Sequence, residues 1–456
     1  MTAFWIPYFV AYFPGVYWYD TSWQLMEYYD PSVPFTDHHP FMMTYLYVGF
    51  AHIGKALFNN ATYGLYLLVL VQSLLSTLAI ACTVCYTGKY NIPWKCRFFI
   101  AVFLTFFPII PMMSMSLAKD TFNTPFFVFF SIAFCELWRT QGTILKSVSF
   151  DVFFIADALA VSLTKKSRHV YHCPGSASLA CFVVKHWSYK IATIVLGGVP
   201  YLVVGIIVPT FILPALHIAP GESNEILAVP MQQVANVVHN HKDDLSVAEI
   251  DEIQQIYHMD IGQLQDAYCW YKADPIKGQE LSSKDEHALI TTWTKQLVKH
   301  PGDMIAGWGG LSVAWFSFNV ASGEEQDLSM MRPINNSKHH YQNIEQYMPW
   351  TDNTKAGNAI GQFYADTLSA TPILNIIWQK AFWATILPFA IMFLILRSKK
   401  NKLNLLMLNL PMFITMLVLF AGPISTHTEA TRYVLPMLYI IPLFLSLTLK
   451  HLPEES

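Results

Sequence analysis

Four carboxylates and a histidine pair crowd into residues 15–41, GVYWYDTSWQLMEYYDPSVPFTDHHPF. Asp20, Glu27, Asp30 and Asp37 lead into His38-His39-Pro40, with aromatic residues between them. A carboxylate or an imidazole held in apolar surroundings can take a proton from a hydroxyl in a transition state. A single Asp here would read as part of a solvated connector. Two Asp-centred clusters bracketing an aromatic loop point instead to an active site at a membrane surface.

Further candidates lie far away in sequence. Lys119-Asp120 sits in a turn too short to be a mere spacer, and Arg432 stands directly before the last apolar run, preceded by His427 and Glu429. Taken alone, Arg432 reads as a snorkelling cap at an interface. Together with the first-loop acids, the fixed cations suit a reaction on a lipid-linked anionic substrate. Metal spacing is weaker. His38 and His39 are adjacent and cannot readily face one ion, while His239-x-His241 and His339-His340 lie in polar loops. A divalent cation, Mg or Mn, held by Asp20 and Asp37 is a better candidate than zinc. No phosphate loop, dinucleotide fingerprint, GxSxG or HExxH occurs, and no basic field suggests nucleic acid.

Composition says what must position these groups. The 456 residues are 54% hydrophobic and 13% charged, about half the charge of a soluble domain at roughly 25%. Several apolar runs approach the ~20 residues that cross a bilayer core. The chain is therefore expected to be an all-α, polytopic transmembrane bundle with the lipid bilayer as its solvent. Spans are expected at 62–86, 98–117, 122–138, 148–163, 191–216, 373–396, 403–421 and 433–449, for about nine to ten crossings with the short apolar start. Cys82, Cys85, Cys135 and Cys181 fall in or beside apolar runs, which argues against a disulfide-stapled exterior.

Short basic connectors (Lys89, Lys95, Arg97; Arg139, Lys146; Lys185, Lys190; RSKKNK at 397–402) should face the cytoplasm, as should the C-terminus. The acidic loop 14–40, the 119–120 turn, the polar region and the 425–432 turn then share the extracytoplasmic side. Two conditions apply. Residues 39–58 must lie as an interfacial amphipathic helix, and something within 164–184, TKKSRHVYHCPGSASLACFVV, must cross. The organisation expected is a transmembrane region at 1–216, a mostly helical extracytoplasmic domain at 217–372 and a transmembrane region at 373–456. In the polar region Ser246 and Glu249 form a capping-box pattern, and residues 302–318 are apolar enough to lie against the membrane.

FPGVYWYDTSWQ, DHHPF, AKDTF, EILAVPMQQVANVV and EATRYVLPMLYIIPL resemble an uncharacterised group of bacterial membrane proteins, itself similar to the GT-C superfamily of protein mannosyltransferases and aminoarabinose transferases. The resemblance covers nearly the whole chain and implies transfer of a sugar from a polyprenyl-phosphate donor to a glycan, lipid or protein acceptor of the cell envelope, outside the membrane. Carried over, it makes Asp20 the general base. Asp37, His38 and His39 complete the acidic site or hold a metal. Arg432, with Lys119 and Asp120, forms the substrate-phosphate site, while Gln232 and Gln233 fall in a matching motif without an assigned role. After SLTK the sequence departs from that pattern until HWSYKIA, as a local frame disruption would make it. The competing readings are a transporter or flippase of lipid-linked sugars, and a non-catalytic or decayed membrane protein.

Overall fold

The structure, a computed structural model, describes every residue except 166–174, 176, 179, 222–223, 278–280, 319–343, 349–354, 400, 423 and 453–456. Among the described residues it is all-α apart from one two-residue parallel pairing. In the first half the elements are α1 (Ile6–Ala11), α2 (Tyr19–Tyr29), β1 (Thr36–Asp37), α3 (Phe41–Phe58), α4 (Ala61–Gly88), α5 (Trp94–Phe106), α6 (Ile109–Ser114), α7 (Lys119–Thr140) and α8 (Val148–Thr164). Next comes α9 (Trp187–Ala215), whose stretch Val203–Ile212 is π-helical. The polar region holds β2 (Ala219–Pro220), α10 (Asn224–His241), α11 (Val247–Tyr257), α12 (Ile261–Ala267), α13 (Ser283–Lys299) and α14 (Pro301–Phe316). The chain closes with α15 (Lys355–Ala370), α16 (Pro372–Ile377), α17 (Phe382–Arg397), α18 (Lys402–Leu408), α19 (Leu410–Phe420) and α20 (Thr431–His451).

Among the described residues, four helices are long and apolar enough to cross a membrane: α4 with 28 residues, α7 with 22, α9 with 29 and α20 with 21. Their outward faces carry Leu74, Leu78, Ile194, Val195 and Phe211 in the open, an arrangement that lipid tolerates and water does not. Of the other expected spans, 148–163 is the unbroken 17-residue helix α8, and the rest are interrupted. Residues 98–117 split into α5 and α6 around Phe107-Pro108, where proline removes a backbone donor. Residues 403–421 become α18 and α19, bent by 65° at Asn409-Leu410, and count as one further span only if taken together. Residues 373–396 divide between α16 and α17. Among the described residues, four of the expected spans are thus single long apolar helices and a fifth is a bent pair, with shorter and broken helices packed between them.

The connectors sort to the two ends of this bundle. Trp138 Nε1 donates to Asn404 O at 2.9 Å, and the His451 ring stands 5.2 Å from Trp138 and 5.4 Å from Tyr90. The basic turns near 89–97, 139–146 and 397–402 thus gather at one end, as expected of them. Residues 164–184 lie largely outside the described residues, but their flanks are informative. Lys165 pairs with Asp120 at one end of α7, whereas Val184 and Tyr189 pack on Gly142 beyond the other.

The polar region builds its own core from Ala228, Met231, Val234, Ile253, Tyr257, Leu264, Leu289 and Met304. The expected capping box is present: Ser246 accepts from the Glu249 backbone, and the Glu249 side chain returns to Ser246 N. The apolar stretch expected to lie against the membrane forms α14, which packs on the bundle, with Trp308 Nε1 donating to Phe420 O at 2.7 Å. Just before the boundary expected at 372, α15 packs on α1 and brings Tyr364 OH within 3.2 Å of Tyr8 OH.

The helix expected at the interface is α3, residues 41–58. It lies against α4 at a crossing where two backbones nearly touch. A Cβ on Gly64 would stand 1.8 Å from Phe50 O, and one on Gly54 would stand 2.2 Å from Gly64 N. Gly64→Val should therefore push α3 off α4, at a cost of about 1–3 kcal/mol or more. Thermal unfolding in detergent should show a clear fall in Tm, and an unchanged Tm would show that the crossing is not this tight.

Candidate functional site

The site begins with a backbone exchange between segments a hundred residues apart. Val16 N donates to Met115 O at 2.9 Å, and Leu117 N donates to Val16 O at 2.8 Å. Residues 114–117, left unpaired by the end of α6, are then satisfied by side chains. Gln72 Nε2 donates to Ser114 O and Ser116 O, each at 2.8 Å, while Thr21 Oγ1 and Tyr47 OH donate to Leu117 O at 2.6 and 3.0 Å. Buried backbone carbonyls need such partners, and here the partners fix the starts of α2 and α7 side by side.

That registration brings Asp20, in the first turn of α2, against Lys119 and Asp120 in the first turn of α7. A third helix start, that of α20, supplies Arg432. Arg432 Nη1 donates to Asp20 Oδ2 at 2.7 Å, and Lys119 Nζ lies 3.5 Å from the same oxygen. The guanidinium also faces the rings of Trp18 at 5.5 Å and Tyr433 at 5.1 Å, and Nη2 donates to Tyr433 OH at 3.1 Å. Asp120 is fully buried and pairs with Lys165, whose ammonium also lies 5.1 Å from the Tyr433 ring. Arg432 Nε and Asp120 Oδ2 face each other at 3.8 Å, and neither has a hydrogen-bond partner.

Two of the cations, Lys119 and Arg432, stand at helix N-termini, where the helix dipole disfavours positive charge. Their placement makes sense only with anions beside them. The last turn before α20 is held in place by Lys380, whose buried Nζ donates to Ser425 O at 2.9 Å and His427 O at 2.7 Å. Lys165, Trp18, Tyr433 and Lys380 were not singled out from sequence. Lys165 lay in the segment that reads as abnormal, and Lys380 inside an apolar run.

The first-loop residues divide. His39 joins the cluster, its Nδ1 2.7 Å from Lys119 Nζ. Burial, then Lys119, hold its imidazole well below the ordinary histidine range, so at neutral pH it is uncharged and Nδ1 accepts from the ammonium. His38 stands edge-on to the His39 ring at 4.7 Å. Asp37 goes elsewhere: its Oδ1 accepts from Phe41 N at 3.1 Å at the start of α3, and its backbone pairs with Pro220. Glu27 braces the same loop, accepting from Thr36 Oγ1 at 2.6 Å.

Burial works to raise the Asp20 carboxyl, but Arg432 and Lys119 outweigh it and hold it well below the usual carboxylate range. An acid so occupied, with Asp37 committed to α3, does not fit a shared divalent site. Among the described residues, the groups able to hold a metal do not include Asp20 or Asp37. Gln232 and Gln233 are internal ties of the helical domain, donating to Cys269 O at 2.6 Å and Met304 O at 2.7 Å. His339-His340 lies outside the described residues.

A family model described as a family of unknown function, DUF6020, matches residues 28–455. The chain belongs to this family. Comparisons with curated proteins and with solved structures give no match. The DUF6020 match takes in His39, Lys119, Asp120, Lys165 and Arg432, whereas Asp20 precedes it.

The His39 environment sets a pH dependence with a definite sign. An unfolded histidine takes a proton near pH 6.5, whereas folded His39 takes one only well below that. Below about pH 6.5 the unfolded chain therefore binds the extra proton, and stability falls as pH drops toward the folded value. From pH 7.5 to 5.5, Tm should fall more steeply for the parent than for His39→Gln, by the equivalent of about 1 kcal/mol. Equal slopes would remove His39 from the acid response.

Proposed function

We propose that this DUF6020 protein is a membrane glycosyltransferase of the GT-C kind, moving a sugar from a polyprenyl-phosphate carrier to a hydroxyl acceptor of the cell envelope on the extracytoplasmic side. The observation that carries this reading is the grip of Arg432 and Lys119 on one Asp20 oxygen, where three helix starts meet. Asp20 is also the most open acid of the cluster, its side chain 24% exposed against 0% for Asp120.

The pairing supplies both halves of the reaction. An arriving donor phosphate competes with Asp20 for Arg432 and Lys119. As they turn to the phosphate, the carboxylate loses the charges that depress its proton affinity and becomes a useful base. Asp20 then takes the acceptor hydroxyl's proton while that oxygen bonds to the anomeric carbon. The bond from that carbon to the phosphate oxygen breaks, and the electron pair leaves with the polyprenyl phosphate. Arg432 and Lys119 neutralise the departing charge where little water is present to do so. Asp120, Lys165 and the Trp18 and Tyr433 rings keep Arg432 in place throughout, and His39 holds Lys119 without adding charge.

Transport of lipid-linked sugars is the competing reading, favoured by the 65° bend between α18 and α19 and the π-helical stretch of α9. Transporter sites lie near the bilayer midplane between repeated halves. This cluster instead sits at helix starts, which favours chemistry at a membrane face.

Purified full-length protein incubated with a panel of radiolabelled polyprenyl-phosphate sugars and envelope acceptors tests the proposal. Transfer by the parent should fall by about 10²–10⁴ in Asp20→Asn, the usual worth of a positioned base, while the variant still elutes as a folded species. Transfer unaffected by the substitution would take Asp20 out of the chemistry. Absence of transfer by the parent across the panel would favour the transport or non-catalytic readings.

A further inference from the structure

The helical domain holds a second polar cluster that plays no part in the chemistry proposed above. His241 ends α10, Asp244 lies in the turn that follows, and His300 sits between α13 and α14. One ligating atom from each lies within 4.8 Å of the others. We propose that His241, Asp244 and His300 bind a single divalent transition-metal ion, with zinc the best match to two imidazoles and a carboxylate.

The contacts around the cluster distinguish it from a chance meeting of polar residues. His241 Nδ1 lies 3.1 Å from Asp244 Oδ2, on the side where the ligands gather, while Nε2 lies 3.0 Å from Asp303 Oδ2. A metal-binding histidine commonly gives its second ring N–H to a carboxylate, which fixes the tautomer and strengthens the ligand. Asp303 fills that place and is itself secured. Asn240 Nδ2 donates to its Oδ1 at 2.9 Å, and Asn236 Nδ2 donates to its backbone oxygen at 2.7 Å.

His300 supplies the independent observation. Its ring stacks on His241 with centroids 4.6 Å apart, and its Nε2 is buried without a hydrogen-bond partner. A buried polar atom left unpaired is costly, and metal ligation relieves that cost. Donors around a tetrahedral zinc, with bonds of about 2.0–2.1 Å, lie roughly 3.4 Å apart. Closing the 4.8 Å spread requires the stacked His241 and His300 rings to turn until both lone pairs meet one ion. Asp244 has its side chain 60% exposed, leaving water to complete the coordination. Lys299 is a nearby cation, but its ammonium donates to the Asp244 backbone oxygen at 2.7 Å and lies 3.4 Å from Glu249, so it leaves the Asp244 carboxylate available. The bound ion ties the end of α10 to the α13–α14 junction and so clamps the helical domain.

The simpler alternative is that His241 only bridges Asp244 and Asp303 and takes no metal. Untagged full-length protein, stripped with chelator in detergent and then given zinc, separates the two. The parent should retain about one equivalent through gel filtration and gain thermal stability from it. His241→Gln and His300→Gln should lose both effects, whereas His287→Gln, elsewhere on the domain, should keep them. Asp303→Asn should weaken retention by roughly 10–100-fold, as loss of a supporting carboxylate does. Asp244→Asn, an exposed substitution, serves if the histidine variants fail to fold, and it too should lose the zinc. Absence of retention by the parent overturns the proposal. So does zinc held equally by the parent and Asp244→Asn.

Discussion

A guanidinium buried at the start of a membrane helix must be neutralised by something fixed in place, and the arrangement of this bundle follows from how Arg432 is neutralised. Asp20 receives one of its hydrogen bonds at 2.7 Å, and Asp120 faces it at 3.8 Å. Those two acids come from helices whose starts are separated by a hundred residues, so α2, α7 and α20 cannot shift independently. Removing one partner from such a group leaves a buried charge, a penalty of about 3–5 kcal/mol when burial is complete. Asp20 is partly exposed, which lowers that figure for it and keeps the pair open to exchange.

The same constraint explains the irregular chain around the cluster. A straight helix over residues 98–117 would carry Lys119 directly out of the bundle. The break at Phe107-Pro108 and the return through residues 114–117 instead turn the chain inward, where Gln72, Tyr47, Thr21 and Val16 satisfy the released carbonyls. Non-helical backbone at membrane depth is tolerated where protein surrounds it, and every residue of this return is buried. The irregular segment thus lets Lys119 and Asp120 begin α7 facing Asp20.

Composition made the membrane class and the helical class legible, because a chain with half the usual charge and long apolar runs has few other soluble outcomes. Asp20, Lys119, Asp120, His39 and Arg432 were also legible, as ionisable groups at the edges of apolar runs. Asp37 was ambiguous for a local reason: an acid four residues before Phe41 can accept from its backbone N–H as readily as it can bind substrate, and one sequence does not distinguish the two. Lys165 and Lys380 were illegible because one lies in the segment that reads as abnormal and the other inside an apolar run. Their charges are satisfied by an acid 45 residues away and by two carbonyls more than 40 residues away. The breaks within the expected spans were not legible because hydropathy averages over the prolines that interrupt 98–117 and the bend at Asn409.

The helical domain meets the bundle at places that bear on the cluster itself. Pairing of Thr36 and Asp37 with Ala219 and Pro220 fastens the loop before His39 to the entry of that domain. At its other end, α14 grips the stretch leading to Arg432, with Trp308 on Phe420 O and Ala314 N on Ser425 Oγ at 2.9 Å. Lys380 holds the carbonyls of Ser425 and His427 in that same stretch. His39 and Arg432 are therefore each approached through a contact with the helical domain. A change in that domain's internal spacing, such as one imposed at the end of α10 and the start of α14, has a short mechanical route to the ion pair. Because packed elements shift between discrete arrangements rather than deforming smoothly, that route would act on how firmly Arg432 is held rather than on whether the cluster forms.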